Sequence, residues 1–502
     1  MDARNVMSIG DGREGKVRAA MAKGQLGGKL SGLSLPHQIV TIALWPLLEQ
    51  VMSFICASTS LFLAVRLSAD GWEKAQLASG IGVTSYVMWL GFLLQGAVGM
   101  GATAVVSRMT GARRFRDANF AANQAAMLGL FAGLTSALVM YFSARWLIHD
   151  VVQLSGYAQE VAMRYMTIGA WVAVFSGVMF AVDAALRGAG DTKTPFFIML
   201  CVDSLNVVFS VLLVRVFGMG VEGLAWGMIG GWFVACFILL GLLVRRGQRM
   251  RACLQGRDLD EYAREQGLAY VPPLFLHLRS LLPDLSMLYR IVVIGVPQAV
   301  EQLGIYLIQL YVLHIISSLG DAAVGAHNIA IRIESMSFLP GFAIGMAGAT
   351  LVGQYLGARN IRMAMETVLR CVKYSVLFMG SMGVVFFLFP EVFVTLFADG
   401  SEQLLSVATP VVQVFLIAEP FYAAMLTIKM CLRGAGYTRR VMYVSYIGMG
   451  AIRMGGLAVW STFSPETLSL TWVWVLFSLD MALEYAVLHR MLLNLKWVRK
   501  KV

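Results

Sequence analysis

The sequence predicts an all-α polytopic membrane protein, with twelve transmembrane helices in two six-helix lobes related by an internal repeat. Composition gives the first half of that expectation. Hydrophobic residues fill 58% of the 502 positions and charged residues only 14%, with a mean hydropathy of +0.71, whereas an ordinary soluble domain is about a quarter charged. Apolar runs of about 20 residues recur along the chain, each able to cross a hydrocarbon core of about 30 Å. They are continuously apolar rather than alternating, which selects helices over barrel strands. The repeat gives the second half. Leu186-Arg187-Gly188-Ala189-Gly190 returns as Leu432 to Gly436, an offset of 246. At the same offset Gly99-Met100 returns as Gly345-Met346, and Gly111-Ala112-Arg113 as Gly357-Ala358-Arg359. Three motifs at one spacing point to two homologous membrane halves around a central cavity, a common plan among secondary transporters.

Residues 1–37 are glycine-rich and basic with no helical period, and read as a cytoplasmic arm. Segments 1 to 6, expected at 38–65, 76–101, 119–147, 158–185, 195–217 and 222–244, form an N-lobe over 38–244. Residues 245–289 are the one long polar interruption. They read as a cytoplasmic linker, with a surface helix at Asp258 to Gln266, long enough to let two lobes rock against each other. Segments 7 to 12, at 290–317, 323–350, 366–389, 404–432, 440–461 and 468–493, form a C-lobe over 290–495, and 496–502 is a basic cytoplasmic tail. Gly223, Gly227, Gly230 and Gly231 in segment 6 have the spacing that lets another backbone come close. The 30 methionines read mainly as core gap-fillers, and a Met-lined cavity would suit variable apolar ligands.

The net charge of +11 is placed on one side. Arg108, Arg113, Arg114 and Arg116 share a loop, as do Arg187 and Lys193, Arg359 and Arg362, and Arg433, Arg439 and Arg440; arm, linker and tail fall on the same side. This is the positive-inside bias, which puts both termini in the cytoplasm and accounts for the charge without nucleic acid. The other face carries Asp70, Glu73, Asp321 and Glu391. The first apolar segment begins too far in for a cleaved signal peptide. Cys56, Cys201, Cys236, Cys253, Cys371 and Cys431 have no paired spacing, and the six histidines form no ligand cluster. With no P-loop or nucleophile elbow either, the expectation is a protein that is not an enzyme and needs no cofactor.

An ionisable side chain near the bilayer centre costs at least about 2.5–3.5 kcal/mol on insertion scales, so it marks function unless a partner explains it. Segment 1 presents Glu49, Ser53, Cys56 and Ser60 on one helical face, and segment 5 presents Asp203, Asn206 and Ser210. Asp183 in segment 4 stands four residues before Arg187, where it either joins a polar site or makes an i,i+4 ion pair. In the second half Glu301, Gln302, Tyr306 and Gln309 lie along segment 7 and Glu334 midway along segment 8, with Lys429 and Arg453 deep in segments 10 and 11. Glu301 or Glu334 is expected either to accept a cation or to be paired permanently with Lys429 or Arg453. Asp480 and Glu484 share a face of segment 12 and read as a structural contact. Because Asp183 corresponds at the 246 offset to Lys429, cation-accepting chemistry is expected in the N-lobe.

Three stretches resemble the multidrug and toxic compound extrusion (MATE) family, within the wider multidrug/oligosaccharidyl-lipid/polysaccharide exporter (MOP) superfamily. Leu186 to Pro195 is similar to the family's loop between helices 4 and 5, and Thr350 to Ala358 to its helix 8 end. Gly325 to Ala330, followed by Glu334-Ser335 and Phe338 to Phe342, is the third stretch. Pro46 with Glu49-Gln50 and Pro297 with Glu301-Gln302 resemble its helix starts, so the likeness covers 38–498. It implies a monomeric antiporter of the bacterial inner membrane that exports amphiphilic or cationic organic compounds in exchange for protons or sodium, by alternating access. On this resemblance the ion-coupling set is Asp203, Asn206, Asp183 and Glu49, with Asp203 and Asn206 as a possible sodium site. The implied substrate cavity holds Glu301, Gln302, Tyr306, Gln309, Glu334, Lys429 and Arg453. Two positions depart from the pattern. Ser60 stands where many members carry a helix 1 aspartate, and Gly436-Tyr437-Thr438-Arg439 lacks the aspartate of its N-terminal counterpart. The alternative function is a flippase for a lipid-linked or anionic substrate, which needs a cationic cavity such as Lys429, Arg453 and Arg332 would supply. A channel is disfavoured, because no pore-loop signature or ring of like charge is present.

Overall fold

The computed structural model describes residues 25–65, 71–151, 154–268, 270–398 and 401–499. Expectations on Arg4 to Lys23, Asp70, Lys500 and Lys501 lie outside them, as do those on the side chains of Ser60 and Glu73. The described residues form helices and turns, with no strand among them. Among the described residues twelve long helical rods follow one another, α1 Leu35–Val65, α2 Gly71–Gly111, α3 Phe115–Arg145, α4 Gly156–Gly169 with Val172–Gly188, α5 Lys193–Val211 and α6 Gly220–Leu254 making the first half. The second half comprises α7 Leu285–Ser317, α8 Asp321–Gly357, α9 Ile361–Leu388, α10 Glu402–Gly434, α11 Thr438–Gly448 with Leu457–Phe463, and α12 Leu470–Leu493. The two pieces of α4 meet at 50°; counting them as one broken span, nine rods among the described residues are long and apolar enough to cross a membrane. The two pieces of α11 are joined by a π-helical stretch, Met449–Gly456, the kind of irregularity that often marks a functional position.

The repeat is written into the turns. α4 ends at Gly188 and α10 at Gly434; beyond them Asp191 N donates to Leu186 O and Tyr437 N to Leu432 O, each at 2.9 Å. This is the Schellman closure that satisfies carbonyls at a helix end, and it needs the left-handed residue that Gly190 (φ 92°) and Gly436 (φ 80°) provide. α2 and α8 end just as similarly. Arg113 (φ 57°) and Arg359 (φ 59°) are both left-handed, and Arg114 N to Met109 O and Asn360 N to Tyr355 O are both 2.9 Å.

Two compact units result. One is Leu48–Val296 with the described residues up to Ser31, the other Gly32–Leu47 with the chain from Pro297 onward. The change of unit therefore falls inside α1 and α7, beside Pro46 and Pro297, where a missing N–H weakens the helix. It does not fall in 245–289, which the sequence reading takes as a linker; that segment packs with the first unit. Within the first unit α4 packs on α2 and α3, and α5 on α6; within the second, α10 is central and packs on α8, α9 and α12.

The small-residue stripe of α6 works as expected. Side chains on Gly227 and Gly231 would place Cβ 2.4 Å from Ser210 Oγ and 2.9 Å from Asn206 N, so their absence is what lets α5 lie against α6 at the polar positions. Gly241, farther along α6, has nothing within 4 Å. Overpacking costs about 1–3 kcal/mol, so Gly227→Leu should lower the melting temperature of the purified protein while Gly241→Leu leaves it unchanged. Equal melting curves for the two variants would contradict this packing.

Candidate functional site

Each unit holds a polar cluster within its helices. In the first, Arg187, the arginine that closes α4, donates both to Glu49 Oε1 (2.6 Å) and to Oε2 (2.8 Å) on α1. Glu49 was expected among the coupling groups; the structure makes it the ion-pair partner of Arg187. Asp183, one turn before Arg187, is thereby left without its i,i+4 partner. It is 2% exposed, and its Oδ1 has no hydrogen-bond partner among the described residues. Asp203 on α5 is half-buried and accepts from Ser53 Oγ of α1 at 3.1 Å, while the Cys56 thiol lies 3.6 Å from its main-chain oxygen. The polar faces read from segments 1 and 5 therefore do meet. Asn206 Oδ1 accepts from Ser210 Oγ, one turn farther along α5, at 3.2 Å.

The second cluster is larger. Glu301 on α7 accepts from Arg433 at 2.7 Å and from Ser445 Oγ at 2.5 Å. Lys429 on α10 is ion-paired with Glu484 on α12, and Arg453 in the π-helical stretch holds Asp480 at 2.5 Å with its guanidinium 4.5 Å over the Phe477 ring. The expected pairing of Glu301 or Glu334 with Lys429 or Arg453 is thus replaced by three other pairs. Asp480 and Glu484, read as a structural contact, supply two of the acids, and Arg433, read only as a loop cation, supplies one of the bases. The sequence carried the equivalence of two of these pairs, though not the contact itself. Glu49 with Arg187 and Glu301 with Arg433 are the same pair in the two repeats, offset by 252 and 246.

Three pairs leave two acids over. Glu334 makes no hydrogen bond or ion pair among the described residues, and its charged neighbours are Arg453, already held by Asp480, and Glu419. Glu419 on α10 is 1% exposed; its Oε2 accepts from Ser337 Oγ at 2.8 Å and its Oε1 has no partner. Sequence reading missed Glu419, although it is a carboxylate near the middle of an apolar span. Gln302, Tyr306 and Gln309 of α7 are half-buried, and Gln309 Oε1 is unsatisfied. Next to Glu301, the Tyr446 hydroxyl donates to the Val300 carbonyl, and the ring sits where a side chain on Gly304 would be. Among the described residues no cluster of His, Cys, Asp or Glu has metal-binding geometry.

The MatE family profile matches residues 51–212 and 297–457, one match in each half. The chain belongs to the MatE family. As a MatE protein it is a multi-pass membrane transporter and not an enzyme. It is 27% identical over 428 residues to "Probable multidrug resistance protein NorM" of Thermotoga maritima, covering 84% of this chain and 86% of that one. Similarity extends to the multidrug resistance protein MdtK of Proteus mirabilis, 20% identical over 421 residues, 82% of this chain and 86% of the relative. Two solved structures match its fold at a TM-score of 0.78 over 93% of this chain and 98% of theirs. One is an outward-facing multidrug resistance MATE transporter (18% identity); the other is a MOP superfamily transporter from Pyrococcus furiosus (17% identity), described as having a binding pocket of reversed polarity.

The paired acids of this MatE protein make a stability test. Removing one partner of a buried pair costs about 3–5 kcal/mol, because the other charge stays buried and unmatched. Lys429→Met should therefore melt well below the parent, and Lys429→Met with Glu484→Gln should recover most of the loss. A double variant no more stable than Lys429→Met would contradict the pairing.

Proposed function

We propose that this chain is a secondary active drug exporter of the bacterial inner membrane, with both termini cytoplasmic. It moves amphiphilic or cationic compounds outward in exchange for protons or sodium, by alternating access of its two lobes. Family membership and the multidrug resistance names of its relatives support the exporter class. One observation carries the coupling. Each of the four bases in the two clusters already has an acid, yet Asp183, Asp203, Glu334 and Glu419 have no base of their own.

A carboxylate in a low-dielectric site that lacks a basic partner is neutralised by a proton or a small cation, and the bound ion can be taken up on one side and released on the other. Asp203 beside Ser53 is the coupling group of the N-lobe, and Glu419 beside Ser337, with Glu334 near it, that of the C-lobe. The hydroxyls serve either ion, donating to a carboxylate or offering oxygen to sodium. Proton entry down about 100 mV is worth about 2.3 kcal/mol, and one pH unit adds about 1.4 kcal/mol. At about 1.4 kcal/mol per decade, one proton per cycle sustains roughly a few hundredfold gradient of an uncharged substrate; a monovalent cation leaving in exchange cancels the membrane-potential part, and about tenfold remains. The flippase reading needs free cations in the cavity; of Lys429, Arg453 and Arg332, the first two are held by acids and the third is exposed, so it is not adopted.

Ethidium transport into inverted vesicles, with pH and sodium gradients imposed separately, tests this. Asp203→Asn and Glu419→Gln keep the shape of each side chain and remove its charge. Each should fold like the parent and lose gradient-driven transport by about tenfold or more, that is about 1.4 kcal/mol. Parental rates in both variants at equal protein level would contradict the assignment.

A further inference from the structure

The connection between the repeats is bound to the first unit along its length. Three amide side chains of α3, Asn119, Asn123 and Gln124, are at most 6% exposed and treat the connection as a sheet treats an added strand. Asn119 Oδ1 accepts from Phe275 N (2.8 Å), and Asn123 donates to Phe275 O (3.0 Å) while accepting from His277 N (3.0 Å). Gln124 donates to Ser280 O (2.7 Å) and Leu282 O (2.6 Å) and accepts from Asp284 N (3.0 Å). An amide offers a donor and an acceptor together, the match for a peptide's own pair. On the other side Leu276 N donates to Leu243 O of α6 at 3.2 Å.

The start of the connection is fixed as firmly. Arg113, left-handed at the end of α2, donates to the carbonyls of Ala263 (3.2 Å) and Gly267 (3.0 Å). The short helix Leu259–Glu265 buries Leu259 and Ala263 against Phe115 and Met250. At the far end Asp284 begins α7, accepting from Ser286 Oγ (2.6 Å) and Met287 N (2.8 Å). Those bonds hold its carboxyl below the usual carboxylate range. The first turns of α7, to Val296, belong to the same unit.

We propose that residues 259–268 and 270–284 form a rigid strap rather than a tether: they stay docked on α3 and α6 through the whole transport cycle, with Asn119, Asn123 and Gln124 as the positioning residues. Conformational change is then taken up inside α7, beyond Val296, and the length of the connection contributes nothing to it. This goes beyond the exporter reading, which requires only that the lobes move.

The test uses the full chain with the exposed Cys253 changed to Ser. Arg116, whose main-chain N donates to Asp260 Oδ1 at 3.0 Å, and Asp260, in the strap's short helix, are replaced by cysteines and joined by a short bifunctional thiol reagent. Ethidium transport should be retained within about twofold after cross-linking; a tenfold fall overturns the strap, since a tether must leave the surface. Hydrogen exchange read by mass spectrometry supplies an arm independent of transport. The amides of Phe275, Leu276, His277 and Asp284 should exchange at least about a hundredfold more slowly than in a free peptide, with ethidium or without it. Rapid exchange in either condition overturns the proposal, even in a chain that proves unable to move ethidium.

Discussion

The whole arrangement depends on neutralising charge inside a low-dielectric bundle. Each repeat solves this in the same way, by having the arginine that closes its fourth helix grip a glutamate just after the proline of its first: Arg187 with Glu49, and Arg433 with Glu301. Neither charge could remain there alone at a tolerable cost. The pair therefore ties the start of each half to its centre, and the glycines that follow each arginine allow the backbone to turn back at that point. The Leu-Arg-Gly-Ala-Gly motif joins an ion pair and a helix stop in five residues.

From this shared frame the halves diverge. The first has one such pair and two further acids, Asp183 and Asp203, on adjoining helices. The second has added Lys429 and Arg453, each balanced by an acid on α12, so that its charge is raised and cancelled at once. What survives the cancellation is Glu334 with Glu419, a carboxylate pair whose neighbour Arg453 is already engaged by Asp480. Carboxylates without a base of their own thus stand in both halves, with different residues in each.

The fold was legible in the sequence because membrane helices announce themselves by length and apolarity, and because turn motifs recur only where turns recur. Gly190 and Gly436 are visible as a repeat long before their left-handed backbone is. The N-lobe meeting of Ser53 with Asp203 was legible for the same reason, since two polar faces on apolar helices must face each other or water. Pairing in the C-lobe was not. Choosing among Arg433, Lys429 and Arg453 for Glu301 needs the azimuth of each helix, which spacing along one chain does not fix. Glu419 escaped notice because it belongs to no repeated motif. The attachment of 245–289 to the first unit was not legible, because the segment is polar in composition and is held through three amides on α3 that look ordinary in a long helix.

The central claim is that the unpaired carboxylates, and not the ion-paired ones, exchange the coupling ion. Difference infrared spectroscopy of the purified protein between alkaline and acidic buffer observes protonation of carboxyl groups directly. A protonated carboxyl band should appear in the parent, weaken in Asp203→Asn and in Glu419→Gln, and keep its parental strength in the Lys429→Met, Glu484→Gln double variant. A band undiminished in both single variants, or one lost in the double variant, would contradict the claim.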